Sequence, residues 1–192
     1  MLYFIYGDSE KEIEAEKIIK TAKEANPGIM ETVFDFGQKE AEGFLERVRQ
    51  NSMFAPKELI IGRRAESIKN FDEFVDIMAL YDISAKEVII EYNDSESKMK
   101  AATLKKIKGY AQFLEVRSDG KNGKLIEYII QNSNMSEKDA AKLIEMAGTD
   151  FHKIKNEVEK LKSFFAGEKI EIEKAEKIIS KSHEYKIYEI IS

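Results

Sequence analysis

Five short apolar segments, each separated from the next by a helical pattern, constrain the fold of the first 117 residues more than any other feature. The segments are 2–6 (LYFIY), 30–36 (METVFDF), 57–62 (KELIIG), 86–92 (KEVIIEY) and 112–116 (QFLEV). All are rich in β-branched or aromatic residues, as strands buried on both faces of a parallel sheet tend to be. Helical patterns fall between them at 9–25, 38–50, 67–82 and 97–109. Strict alternation of this kind predicts an α/β domain whose parallel sheet is covered by helices. Ser9 with Glu12 three residues on gives a capping-box pattern for the first helix, and NPG at 26–28 gives its stop.

The alternation ends at RSDGKNG (117–123). Beyond it the sequence predicts only helices, at 121–132, 136–147, 150–165, 171–181 and 184–191. SEKD (136–139) and TD (149–150) read as helix starts, and AG at 147–148 and at 166–167 as stops. Ile154, Val158, Leu161 and Phe165 share one helical face. The expected plan is an α/β domain over 1–118 followed by a small helical bundle over 119–192.

Composition narrows the function. The 192 residues include no Cys, which excludes a disulfide framework and Cys-ligated zinc. Hydrophobic content of 43% with 35% charged residues describes a globular chain. No signal peptide and no membrane-length apolar run is read, so a cytoplasmic protein is expected. A net charge of −5, with the signs well mixed, does not mark an autonomous nucleic-acid binder. The local basic segment KMKAATLKKIK (98–108) reads as a solvated helix face.

An α/β domain followed by a helical bundle is the layout of AAA+ ATPases, and the start of the chain has the frame of a phosphate-binding loop: strand, glycine, helix. The loop chemistry is missing. Counted from Gly7, the second glycine, lysine and hydroxyl of G-x-x-x-x-G-K-[ST] fall at Glu12, Ile13 and Glu14. Asp8, Glu10, Glu12 and Glu14 would repel a polyphosphate, and Lys11 is out of register. Glu91 falls near the position of a Walker B acid, where a solvent-facing carboxylate is expected. His152 and His183 are the only histidines and lack metal-ligand spacing; His152 is expected at the surface. The sequence predicts no nucleotide, no cofactor, no metal and no catalytic residue.

Four segments in order resemble the delta subunit of bacterial DNA polymerase III, a clamp-loader subunit. They are YFIYGDSEKEIEAEKI at the start, SMFAPKELIIGRRAES (52–67), EVIIEYND followed by KMKAATLKKIK, and DAAKLIEMAGTDFHKIKNEVEKLKSFF (139–165). The resemblance implies an AAA+-like first domain, of the P-loop NTPase type, that has lost its ATPase site, with a lid-like second domain. It implies a non-catalytic part of a DNA polymerase (nucleotidyltransferase) holoenzyme that grips the ring-shaped β sliding clamp during DNA replication. ATP would be bound by neighbouring loader subunits, and DNA would be touched indirectly or weakly.

The family's clamp contact is a hydrophobic pair before the third strand, which maps onto Met53 and Phe54. Locally, VRQNSMFAPKE sets the pair between polar residues and Ala55–Pro56, as at a loop or helix end. The residues by themselves allow either an exposed anchor or a Phe54 folded back on its own core; the resemblance implies the anchor. Arg63 and Arg64 would then either line the same surface or be ordinary solvated charges. Family members carry a third, helical collar domain, and YKIYEIIS (185–192) resembles the lead into it. A chain without the collar is expected to bind the clamp but not to assemble normally into the loader. Two alternatives remain: an AAA+-like interaction scaffold unrelated to the clamp, and an active nucleotide-binding AAA+ protein.

Overall fold

A computed structural model describes residues 1–8, 10–50, 57–93, 99–118 and 122–180. The chain divides into two compact units, Met1–Arg117 and Ser118–Ser192. In the first, strands and helices alternate as β1 (Leu2–Gly7), α1 (Lys11–Ala25), β2 (Met30–Asp35), α2 (Ala41–Arg49), β3 (Glu58–Arg63), α3 (Phe71–Met78), β4 (Lys86–Asn93), α4 (Ala101–Tyr110) and β5 (Gln112–Val116). Short 3-10 turns at Phe36–Gln38 and Ala65–Ser67 follow β2 and β3.

All described strand pairs are parallel, in the order β2-β3-β4-β1-β5. Side-chain alternation sends successive residues to opposite faces of the sheet. On one face Phe4, Ile60, Val88 and Ile90 pack with Phe44 and Val48 of α2, Phe74 and Met78 of α3, and Ile107 of α4. On the other, Ile5, Leu59, Ile61 and Ile89 pack with Ala15, Ile19 and Ala22 of α1. Gly62 has a packing reason: a Cβ there would lie 2.4 Å from the Phe36 ring. Phe36 in turn meets Phe44 edge-on, with ring centroids 5.1 Å apart.

The second unit holds α5 (Gly123–Asn132), α6 (Glu137–Ala147), α7 (Phe151–Phe165) and the short α8 (Ile172–Ala175). Ser136 and Asp150 cap α6 and α7, accepting from the Asp139 N–H at 3.2 Å and the Lys153 N–H at 2.7 Å. Gly148 closes α6, and Ala166 and Gly167, both at positive φ, follow α7. Ile154, Val158 and Leu161 are buried, Phe165 partly so, and Phe151 packs edge-on against Tyr128.

Several boundaries differ from the sequence reading. α1 starts at Lys11, with Glu10 and not Ser9 at its N-cap and no side-chain cap bond; Ser9 itself lies outside the described residues. The 38–50 pattern yields a shorter helix because Lys39, in a left-handed conformation, ends the 3-10 turn capped by Asp35. The 67–82 pattern yields helix only from Phe71, since Ile68 is extended and packs on the core. The helix expected over 171–181 stops at Ala175. Close to its expected end, the buried carboxylate of Glu157 on α7 accepts the Ser180 N–H at 3.3 Å. The helix expected over 184–191 lies outside the described residues.

Candidate functional site

Two places carry the question of function: the loop after β1, where a nucleotide would bind, and the connection from α2 to β3, where the candidate contact pair lies. In the first, Gly7 is committed to the sheet. It pairs with Val116, and a Cβ would sit 2.0 Å from the Val116 carbonyl oxygen, so only glycine lets β1 and β5 approach this closely. The turn beyond it closes on itself. Asp8 accepts the Glu10 N–H at 3.0 Å through its side chain and the Lys11 N–H at 3.1 Å through its carbonyl. Lys11 is buried and its ammonium lies 3.5 Å from the same Asp8 carbonyl. Glu10 is buried as well. The one cation of the loop is therefore turned onto the loop's own backbone, and the residue before it in sequence is a buried acid.

Glu91 corrects the sequence reading. It is 3% exposed, near the end of central strand β4, and not solvent-facing. Burial is the main force that pushes its carboxyl up to about 7, Glu12 and Glu66 add to it, and Arg63 and Lys11 oppose it. Arg63 Nε stands 3.8 Å from its Oε1. Glu66 accepts the Asn93 N–H at 2.9 Å, tying the turn after β3 to the end of β4. Arg64, in the left-handed region at φ 60°, donates to Asp35 from both Nε, at 2.6 Å, and Nη2. That bond holds the Asp35 carboxyl below the usual carboxylate range. Arg63 and Arg64 thus pair within the domain, Arg63 with a buried acid and Arg64 with the residue that caps the turn after β2.

Met53 and Phe54 lie outside the described residues. The frame on either side of them is described, and it is built from charges. Arg47 in the last turn of α2 donates to Glu58, the first residue of β3, at 2.7 Å. Lys86, the first residue of β4 and in register with Glu58, reaches back to donate to the Val48 carbonyl of α2. Glu58 and Lys86 are each 2% exposed. Burial pulls the Lys86 ammonium down from its ordinary range, while Glu58 pulls it up. Sequence reading passed over these residues because charges at strand starts read as solvent-facing. For Glu58 the one sequence signal is a charge directly before an apolar run; Lys86 is separated from its run by Glu87.

The basic segment is described from Met99 onward. Lys100 pairs with Asp72, Lys106 lies 2.6 Å from Asp76, and Lys108 sits over the Phe113 ring at 4.6 Å. His152 is partly buried, against Phe151, and His183 lies outside the described residues. Among the described residues no cluster of His, Asp or Glu is placed to hold a metal ion, and no helix is long and apolar enough to cross a membrane.

This strand order, with a glycine-then-helix connection after β1 and a helical unit behind the sheet domain in sequence, defines an AAA+-like fold. No protein-family model and no curated protein matches the chain. Among solved structures it is similar to the DNA clamp loader delta protein of Bacillus subtilis (YqeN), with 14% identity and a TM-score of 0.55 over 99% of this chain and 61% of that one. It is also similar to domain III of the Thermotoga maritima replication initiation protein DnaA, with 12% identity and a TM-score of 0.48 over 91% of this chain and 81% of that one. The chain spans about three-fifths of the length of the clamp loader delta protein, and the likeness is one of fold.

Proposed function

We propose that the chain is a non-catalytic clamp-loader subunit of the delta type, which binds the β sliding clamp and helps open it for loading onto DNA during replication. The observation that carries this reading is the fold shared with the Bacillus subtilis clamp loader delta protein along 99% of this chain. The loop after β1 supports it: its glycine serves strand pairing, its lysine is buried against its own backbone, and its neighbours are acidic. With no phosphate cradle among the described residues of that loop, the role assigned to the domain is one of contacts, and no enzyme activity is assigned to it.

The contact assigned is Met53 with Phe54. Burying each side chain in a partner pocket contributes roughly 1.5–3 kcal/mol, the size of a binding hot spot. The flexible thioether of Met53 suits a preformed pocket. A closed ring is opened only by a partner that binds the open form better, so the pair acts by differential binding to the opened clamp geometry. The remaining loader subunits are the expected partners in the assembly, DNA is contacted indirectly at most, and the setting is the cytoplasm. The test is titration of the chain with the sliding clamp of its own organism, beside a titration with MgATP. Saturable clamp binding and no nucleotide binding support the reading. Nucleotide binding without clamp binding would replace it with that of an active AAA+ protein.

A further inference from the structure

Beneath the second half of α1, on the face of the sheet that this helix covers, the packing leaves a cavity of about 240 Å³. Strand alternation brings Tyr3 of β1 and Glu87 of β4 to this face, with Lys57 just before β3. The helix does not fill the space against them. Its last two turns line the cavity with Ile18, Thr21, Ala22 and Ala25, and three of these four side chains are small. Pockets that take whole drug-sized ligands run to roughly 300–1,000 Å³. This one suits a single ring system.

The polar groups narrow the chemistry. Glu87 lines the cavity, and its Oε2 is buried with no hydrogen bond among the described residues. A buried carboxylate oxygen without a donor is costly, and a ligand N–H or O–H supplies one. A cationic ligand is disfavoured because ammonium groups already stand there. Lys57 lies 3.4 Å from Oε1, the Met1 amino group lies 3.6 Å from Oε2, and Lys17 lines the same cavity. An anionic ligand would meet Glu87 itself. Burial, and then Glu87, hold the Tyr3 hydroxyl in its protonated form, so it adds no charge. What fits is a neutral donor on an apolar body. An aromatic body gains further, since Tyr3 offers a ring to pack on and the lysine ammoniums are attracted to a ring face.

We propose that this cavity is a binding site for a neutral aromatic group with one hydrogen-bond donor, an indole or a phenol, whose ring rests on Ile18, Ala22 and Ala25 and whose N–H or O–H is given to Glu87. The group belongs either to a free small molecule or to a Trp or Tyr side chain of a partner. The inference is independent of the proposed function, since none of these residues belongs to the contact assigned there.

The chain has no Trp, so the fluorescence of an added indole reports the indole's own surroundings. Indole and, separately, N-acetyltryptophanamide are titrated with the wild-type chain. A saturable blue shift is expected, with a dissociation constant on the order of a millimolar for a ligand of so few atoms. 1-Methylindole, which lacks the N–H, should bind about fivefold more weakly or worse. Tryptamine, the same ring with an ammonium, should bind no tighter than indole. Ala25→Leu fills the cavity from an exposed helix position and should weaken indole binding by about tenfold or more. Thr21→Leu, also exposed, serves the same purpose if Ala25→Leu does not fold. Glu87→Leu should erase the difference between indole and 1-methylindole. Binding of N-acetyltryptophanamide assigns the group to a protein side chain, and binding of indole alone assigns it to a free small molecule; either upholds the site. No saturable binding of either ligand overturns the proposal, as does tighter binding of tryptamine. Indole binding that is unchanged in both the cavity-filling and the Glu87→Leu variants places the ligand elsewhere and overturns it too.

Discussion

Glu91 and Gly7 show how single residues in this chain are fixed by surroundings far away in sequence. The Glu91 carboxyl titrates near 7 in the folded protein and near 4.3 when unfolded, so the fold favours its protonated form. Its protonation supports folding fully below about pH 4, and that support is lost as pH rises through 7. The shift corresponds to about 4 kcal/mol as an upper figure. Glu91→Gln removes the titration. Urea unfolding at pH 5 and pH 8 should show the variant more stable than wild type at pH 8, with the difference shrinking toward pH 5. A variant less stable at pH 8 would mean that the Arg63 pair outweighs burial. For Gly7→Ala, the new methyl meets backbone that cannot step aside, 2.0 Å from the Val116 oxygen. A loss of about 2 kcal/mol or more is expected in the urea midpoint. Gly109→Ala is the control: nothing lies within 4 Å of its Cβ and it sits in α4, so a gain of about 0.5 kcal/mol is expected.

At the scale of elements, the order and kind of the strands and helices were legible because apolar periodicity and local caps are written in contiguous residues. Ser136 and Asp150 are such signals, and both cap as read. Asp150→Ala should lower unfolding free energy by about 1 kcal/mol in the same urea assay. An unchanged midpoint would mean that the packing of Phe151 and Ile154 alone sets the start of α7. The Ser9–Glu12 pattern misled because the Asp8 carboxylate takes the Glu10 amide and carries the turn one residue further before α1 begins. The stop of α8 at Ala175 was not legible in the sequence, nor was the bond near its expected end, where the Ser180 N–H meets the carboxylate of Glu157, 23 residues upstream. Burial of Glu58, Lys86 and Glu91 was hidden for the same reason: each depends on partners from other elements, and a charge in a strand pattern carries no mark of which neighbour will meet it.

For the whole molecule, the sheet order places β1 between β4 and β5, which puts the glycine loop at the sheet's C-terminal edge beside the central strand, where an AAA+-like protein would hold nucleotide. This chain fills that position with its own buried lysine and acids. The α2–β3 connection leaves from the opposite, N-terminal edge, the edge where Glu58 and Lys86 begin their strands. The candidate contact pair came from the resemblance, since the local sequence alone leaves Phe54 either exposed or folded back on its own core, and both residues lie outside the described residues. The pairing of Arg47 with Glu58, and of Lys86 with the Val48 carbonyl, became visible only when α2, β3 and β4 were brought together.

The proposed grip on a sliding clamp through Met53 and Phe54 is decided by isothermal titration. The clamp of the same organism is titrated with the wild-type chain and with Met53→Ala/Phe54→Ala, whose fold is checked by its urea midpoint. Saturable binding by the wild type is expected, with a loss of about 2 kcal/mol or more, roughly thirtyfold in affinity, in the variant. Equal binding by both would remove the pair from the contact. A folded wild type that does not bind the clamp at all would contradict the proposed function itself.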